Sequence, residues 1–130
     1  MSEHPNVELV RRGYTAFSSG DMETVSSLFA DGIIWHVGGD HQLSGNHVGK
    51  EAVFGHFAKL GQVTQGTLSF DIHAIVADDD HAVVLLDNAF ESPAKYLGRE
   101  VHVFHVTEGK VTEFWEFPDD RAGLNAALGS

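Results

Sequence analysis

The sequence predicts an α+β fold in a single domain spanning residues 1–130, with helices packed on one face of an antiparallel sheet. Two observations carry the class. Apolar residues recur at helical spacing in the first 60 residues, and after Gly61 the pattern changes to strand alternation and stays there. A third sets the domain count. The chain has 130 residues, the ordinary length of one domain, with no internal repeat, low-complexity tract or linker.

Val7 to Ser19 is the first expected helix, because Val7, Val10, Tyr14 and Phe17 fall on one stripe. Pro5 and Asn6 are start signals and Gly20 is a stop signal. Asp21 caps a second short helix from Met22 to Phe29, ending near Asp31 and Gly32. The run "IIWHV" is β-branched and aromatic and reads as a strand closed by Gly38 and Gly39. Residues 38–48 are polar and Gly-rich and read as a loop. A third helix is expected over Lys50–Leu60, with Val53, Phe54, Phe57 and Leu60 on one face. Four strands follow, over Thr67–Ala77, His81–Glu91, Arg99–Val106 and Lys110–Phe117. Pro118 ends the last of them, and Arg121–Leu128 reads as a short closing helix.

Composition narrows the partners. Hydrophobic residues make up 42% and charged residues 21%, the balance of a globular chain rather than a disordered one. The formal net charge of −11 repels nucleic acid and anionic membrane surfaces, so neither is an expected partner. Neutral or cationic small ligands fit that charge. With no cysteine, disulfides and thiolate chemistry are excluded. No apolar run approaches the ~18 residues that span a bilayer. The polar start MSEHPN has no signal-peptide apolar region, so the expected location is the cytoplasm.

The order of elements, together with "SSGDMETVSSLFADGIIWHV", "LSGNHVGKEAV" and "HVTEGKVTEFWEFPDD", resembles the nuclear transport factor 2-like superfamily. Within it the chain looks closest to SnoaL-like polyketide cyclases and ketosteroid-isomerase-related proteins. The resemblance covers nearly the whole chain. It implies a cone, a strongly bent antiparallel sheet wrapped around the N-terminal helices (a cystatin-like α+β barrel) with a ligand cavity inside. It also implies a back-to-back homodimer through the outer sheet face. This superfold hosts isomerases, epoxide hydrolases, cyclases, dehydratases and non-catalytic binders. The implied activity is cofactor-independent acid–base chemistry on a hydrophobic small molecule: isomerisation, cyclisation, hydration or elimination. Neither a cofactor nor a metal is expected. The alternative is a non-catalytic module that holds an apolar ligand.

Side chains alternate along a strand, so one inward residue sets the parity of its neighbours. Matching to the isomerase branch implies that Leu85, Asp87 and Ala89 face inward on the second meander strand. It implies the same for His102, Phe104 and Val106 on the third, for Thr112, Phe114 and Glu116 on the fourth, and for Trp35 and Val37 on the first strand of the chain. A three-residue Thr107–Gly109 loop agrees with that parity by pairing Val106 with Lys110; a two-residue Glu108–Gly109 turn puts His102 beside Glu113 and Trp115 instead. The first is favoured, because two arguments meet there. The outer face, counted to include Val84, Leu86, Asn88, Phe90, Val101, Val103, Val111, Trp115 and Phe117, is then too apolar to be left in water, which also argues for a homodimer.

The candidate catalytic residues are therefore Glu116, His102 and Asp87, three ionisable groups aimed into one apolar pocket, where carboxylate and imidazole affinities for the proton shift. Glu116 matches the position where limonene-epoxide-hydrolase-like members carry a proton-handling acid. His102 matches the steroid isomerases' oxyanion-donating aspartate, and Asp87 lies on the strand that supplies the epoxide hydrolases' arginine–aspartate pair. That strand has no arginine here. The isomerase tyrosine position is Gly13, with Tyr14 one residue away, and its catalytic aspartate position is Val37, so the steroid-isomerase mechanism is not implied. The expected cavity walls are Tyr14, Phe17, Trp35, Val37, Phe54, Phe57, Phe70, Leu85, Phe104 and Phe114. Of the nine histidines, His102 and His105 lie three apart on a strand and face opposite ways, so they do not chelate one ion. His41 and His47 sit near Asp40 in the polar loop without metal-ligand spacing, and His56 reads as a rim residue of the third helix.

Overall fold

The computed structural model describes residues 3–130. The elements run α1 (Pro5–Ser19), α2 (Met22–Leu28), β1 (Phe29–Val37), β2 (Gly45–Val48), α3 (Lys50–Val63), β3 (Ser69–Ala77), β4 (His81–Phe90), β5 (Tyr96–Thr107), β6 (Lys110–Pro118) and α4 (Arg121–Leu128). Local chemistry sets the helix ends. The His4 side chain accepts from the Asn6 backbone N–H at the start of α1, and Gly20, at φ 77°, closes it in the left-handed region. Asp21 and Asp120 accept from the backbone N–H groups of Thr24 and Gly123, capping α2 and α4.

One sheet holds all six strands in the order β2-β1-β6-β5-β4-β3. It is an α+β fold with a curved, unclosed sheet. The β3–β6 meander is antiparallel, β1 joins β6 in parallel, and β2 pairs antiparallel with β1. The segment expected as pure loop thus contains a strand, with Val48 opposite Ile34 and Gly45 opposite Val37. Four residues, mostly exposed, carry no readable alternation; only the neighbouring β1 makes them a strand. The main core lies between the concave sheet face and the helices, where Val10, Val25, Leu28, Ile33, Val53 and Phe57 meet Val84, Leu86, Phe104 and Phe114.

The β5–β6 hairpin departs from the favoured turn. Thr107 pairs with Lys110 across a two-residue turn, and both turn residues have positive φ, Glu108 at 51° and Gly109 at 75°. That is the primed hairpin turn, whose twist matches the strands. Such a turn alone would place His102 beside Trp115. A bulge intervenes, with Val106 opposite Val111 but His105 opposite Glu113, so Thr112 is the extra residue. The bulge restores the parity, and His102 stands directly across from Glu116. Thr112 does not face inward as expected; its hydroxyl bonds to His105, whose carbonyl and ring nitrogen are its partners.

On β4 the expected parity is wrong. His102 pairs with Val84 and Glu100 with Leu86, and residues directly opposite in an antiparallel pair share a face. The inward residues are therefore Ala82, Val84, Leu86, Asn88 and Phe90, all buried, and not Leu85, Asp87 and Ala89. Val111 likewise belongs to the inner face, buried opposite Val106. Both parities of β4 are rich in apolar residues, so its own pattern does not reveal which face is inside.

Candidate active site in the cavity of the sheet

The concave face encloses a cavity of about 130 Å³. Its walls are largely aromatic. Of the expected lining, Tyr14, Phe17, Trp35, Val37, Phe57, Phe70, Phe104 and Phe114 are present. Trp35 stacks on Phe114 with ring centres 3.8 Å apart, and Tyr14 meets Phe70 and Phe104 edge to face. Two expected walls are not there. Phe54 packs behind Phe29 and Phe57, and Leu85 is 44% exposed on the outer face.

Asp87 lies outside as well. Its carboxylate sits 3.2 Å from His73 and 3.4 Å from Arg99, both on the outer side of the sheet. As an outer-face residue it does not share the pocket with His102 and Glu116, which is a direct consequence of the β4 register.

Glu116 and His102 do come together, joined by a residue absent from the expected set. One oxygen of Glu100, one ring nitrogen of His102 and one oxygen of Glu116 lie within 4.8 Å of one another. Glu100 is two residues before His102 on β5, so it shares the inward face. That spacing was readable once His102 was placed inside. Glu100 is almost wholly buried and holds His102 Nε2 at 2.8 Å, while its other oxygen accepts from the Asn88 amide at 2.8 Å. On the far side of the imidazole, Nδ1 is 2.5 Å from the Tyr14 hydroxyl. Asn88, Glu100, His102 and Tyr14 therefore form one continuous polar chain, built from β4, β5 and α1.

The carboxylate of Glu100 requires a donor from His102, so the ring proton belongs on Nε2, and Tyr14 O–H donates to Nδ1. Burial raises the Tyr14 phenol well above its ordinary value, and the Glu100 charge adds to the effect. Glu116 is raised above the ordinary carboxylate value, chiefly by burial and next by the charge of Glu100. Arg121, from α4, opposes this with a 3.0 Å hydrogen bond to Glu116. Among the described residues, the same three groups, Glu100, His102 and Glu116, are close enough together to ligate a divalent cation. Their facing atoms are already committed to each other and to Arg121, and an ion would have to break those pairs.

His36 faces outward, 2.6 Å from Glu113 and 2.8 Å from Asn46, stacked on Trp115. His41 and His56, by contrast, line the cavity.

A curved open sheet closing over N-terminal helices, with a polar cluster set in an aromatic hollow, defines the cystatin-like class of nuclear transport factor 2-like proteins. The model of the SnoaL-like domain matches residues 10–114, and the chain belongs to that family. Bal32a, from a soil-derived mobile gene cassette, is 32% identical with a TM-score of 0.90, the match covering 95% of this chain and 96% of that one. A protein of unknown function with a cystatin-like fold from Xanthomonas campestris is 25% identical, also with a TM-score of 0.90, over 95% and 98% of the two chains. An uncharacterized protein of Mycobacterium tuberculosis is 28% identical over 128 residues, 97% of this chain and 98% of its own. The family supports a small-molecule-binding, isomerase-type protein. Among the described residues no helix is long and apolar enough to cross a membrane.

Proposed function

We propose that the protein is a cofactor-independent acid–base enzyme acting on a hydrophobic carbonyl compound, moving a proton as in isomerisation, cyclisation or elimination. The observation that carries this reading is the convergence of Glu116 on the Tyr14–His102–Glu100 chain inside an aromatic cavity. Glu116 is the base. Its carboxylate takes a proton from the carbon beside the carbonyl, and the electron pair moves onto the carbonyl oxygen. A buried carboxylate with a raised proton affinity suits that task near neutral pH. Tyr14 is the hydrogen-bond donor to the developing oxyanion. When His102 carries both ring protons, Nδ1–H donates to the Tyr14 oxygen and the Tyr14 O–H turns to the substrate. Glu100 steadies that imidazolium, and Asn88 keeps Glu100 oriented. Return of the proton to a different carbon completes an isomerisation.

A second copy of the chain is the proposed cover of the outer sheet face. Leu85 and Phe117 are exposed there beside the half-buried Val101, Val103 and Trp115, a face more apolar than a monomer's surface usually carries.

The test uses 2-tetralone, a two-ring ketone with acidic C–H groups, and follows hydrogen–deuterium exchange by NMR. The wild-type protein is expected to accelerate exchange over buffer, and Glu116→Gln to lower that acceleration by roughly 10²–10⁴-fold while still binding the ketone. Binding without any acceleration in the wild type would instead establish a non-catalytic carrier.

A further inference from the structure

Arg121 reaches Glu116 from outside the cavity wall, and so does everything that holds it there. It opens α4, in the turn where the helix's own field disfavours a cation, so helix stability does not account for it. Its Nη1 donates to Glu116 Oε1 at 3.0 Å. The same guanidinium lies against the backbone of Gly38 and Gly39, the two residues that follow β1. A Cβ on Gly38 would stand 3.0 Å from Arg121 Nη2 and 3.4 Å from Cζ. A Cβ on Gly39 would stand 3.0 Å from Arg121 Nη1, 3.1 Å from Cδ and 2.5 Å from Oδ1 of Asn125. Unbonded carbon rests about 3.5–4.0 Å from its neighbours, so neither position has room for a side chain while the guanidinium stays. Gly39 is also at φ 85°, where a side chain is strained. Gly38 has no positive φ, and the three atoms its Cβ would meet first all belong to the Arg121 guanidinium.

The same segment fixes α4 at two points. Asn125, one turn beyond Arg121, accepts from the Asp40 backbone N–H at 3.0 Å. At the end of the helix the Gln42 backbone N–H donates to the Gly129 carbonyl at 2.8 Å, and the Gln42 side-chain amide to the Leu128 carbonyl at 2.6 Å. Glu116 is faced by Glu100 and His102 from β5 and by Arg121 from α4. Tyr96, at the start of β5, feels the Glu116 charge weakly, and His41 feels that of Arg121. Burial and Glu100 raise the proton affinity of Glu116, and the Arg121 hydrogen bond and charge lower it. The place of one guanidinium thus sets how readily this carboxyl ionises.

We infer that Gly38 and Gly39 are positioning residues for Glu116: their bare backbone is the seat that keeps the Arg121 guanidinium on its carboxylate. The effect on rate rests on Glu116 being the base, as proposed above; the effect on its carboxyl does not.

Gly38→Val tests this, because it fills the seat without positive-φ strain. Tetralone exchange is followed against pH in the wild type, Gly38→Val, Arg121→Gln and the double variant, each profile scaled to its own plateau. Gly38→Val is expected to move the acidic limb to higher pH, as Arg121→Gln does, lowering the scaled rate on that limb roughly threefold. In the double variant the limb should coincide with that of Arg121→Gln alone, since the added side chain has no guanidinium to displace. A general loosening of the fold would lower the whole profile and leave the scaled limb in place. The inference is overturned if Gly38→Val leaves the scaled limb at its wild-type position, or moves it equally far in the Arg121→Gln background. If the wild type does not accelerate exchange, the enzyme reading fails by itself. Titration of the Glu116 carboxyl by carbon NMR then makes the same comparison without substrate, and the same two results overturn the inference.

Discussion

At the scale of single residues, the site is governed by which charges surround Glu116. Burial and the Glu100 carboxylate raise its proton affinity and Arg121 lowers it, so the two neighbours pull in opposite directions. The base works only when ionised. Activity is therefore expected to rise with pH through the elevated Glu116 value, and to be lost below it. Arg121→Gln removes the opposing charge and should move that acidic limb to higher pH. Glu100→Gln removes the repelling charge and should move it to lower pH, besides lowering the plateau through its loss of grip on His102. Rate profiles of tetralone exchange against pH for the two variants check this; shifts in the same direction would sink the assignment. Glu116 and His102 were placed inward by the resemblance to the isomerase branch; alternation alone did not single them out, because His105 and Glu113 lie on the same two strands and face the other way. Asp87 looked equivalent and is not, since the face it occupies is decided by the β4–β5 register and not by its own neighbours.

At the scale of elements, the hairpin of β5 and β6 does most to assemble the site. Its turn and its bulge each shift the alternation by one residue, and together they leave His102 opposite Glu116. The turn places Glu108 at φ 51°, a conformation that Asn accepts more readily than Glu. Glu108→Asn is expected to stabilise the protein by about 0.5 kcal/mol, and Gly109→Ala to destabilise it by about 1 kcal/mol. Urea unfolding midpoints measure both. The sequence showed a Glu–Gly turn and left two loop lengths open; it carried no sign of the bulge at Thr112, because a bulge is a property of two paired strands. For the same reason β2 was unreadable, whereas the helices, whose bonds and caps are local, lay within a few residues of their expected limits.

For the whole molecule, burial of His56 couples the fold to pH. Its value in the folded protein, about 4, lies below the 6.5 of an unperturbed histidine. The unfolded chain takes up the proton first as pH falls, so the native state loses stability between about 6.5 and about 4 and is unaffected above that window. A gap of that size corresponds to about 3 kcal/mol. His56→Leu should flatten this part of the acid-stability profile, as followed by melting temperature across the window. The outer face is the other property of the whole. If a second copy covers it, sedimentation should give a dimer of the 14.1 kDa chain, and Phe117→Glu with Leu85→Glu should shift it to monomer. A monomer at all concentrations in the wild type would remove that proposal.

The sequence by itself determined the class of fold, the helices and the four-strand meander. These follow from periodicity and capping, which act over a few residues. Only the tertiary structure decided that Glu100 and Asn88 join the site, that Asp87 leaves it, and that His41 and His56 line the cavity. Each of those outcomes depends on strand register or on one element packing against a distant one, and no local pattern in the chain encodes either.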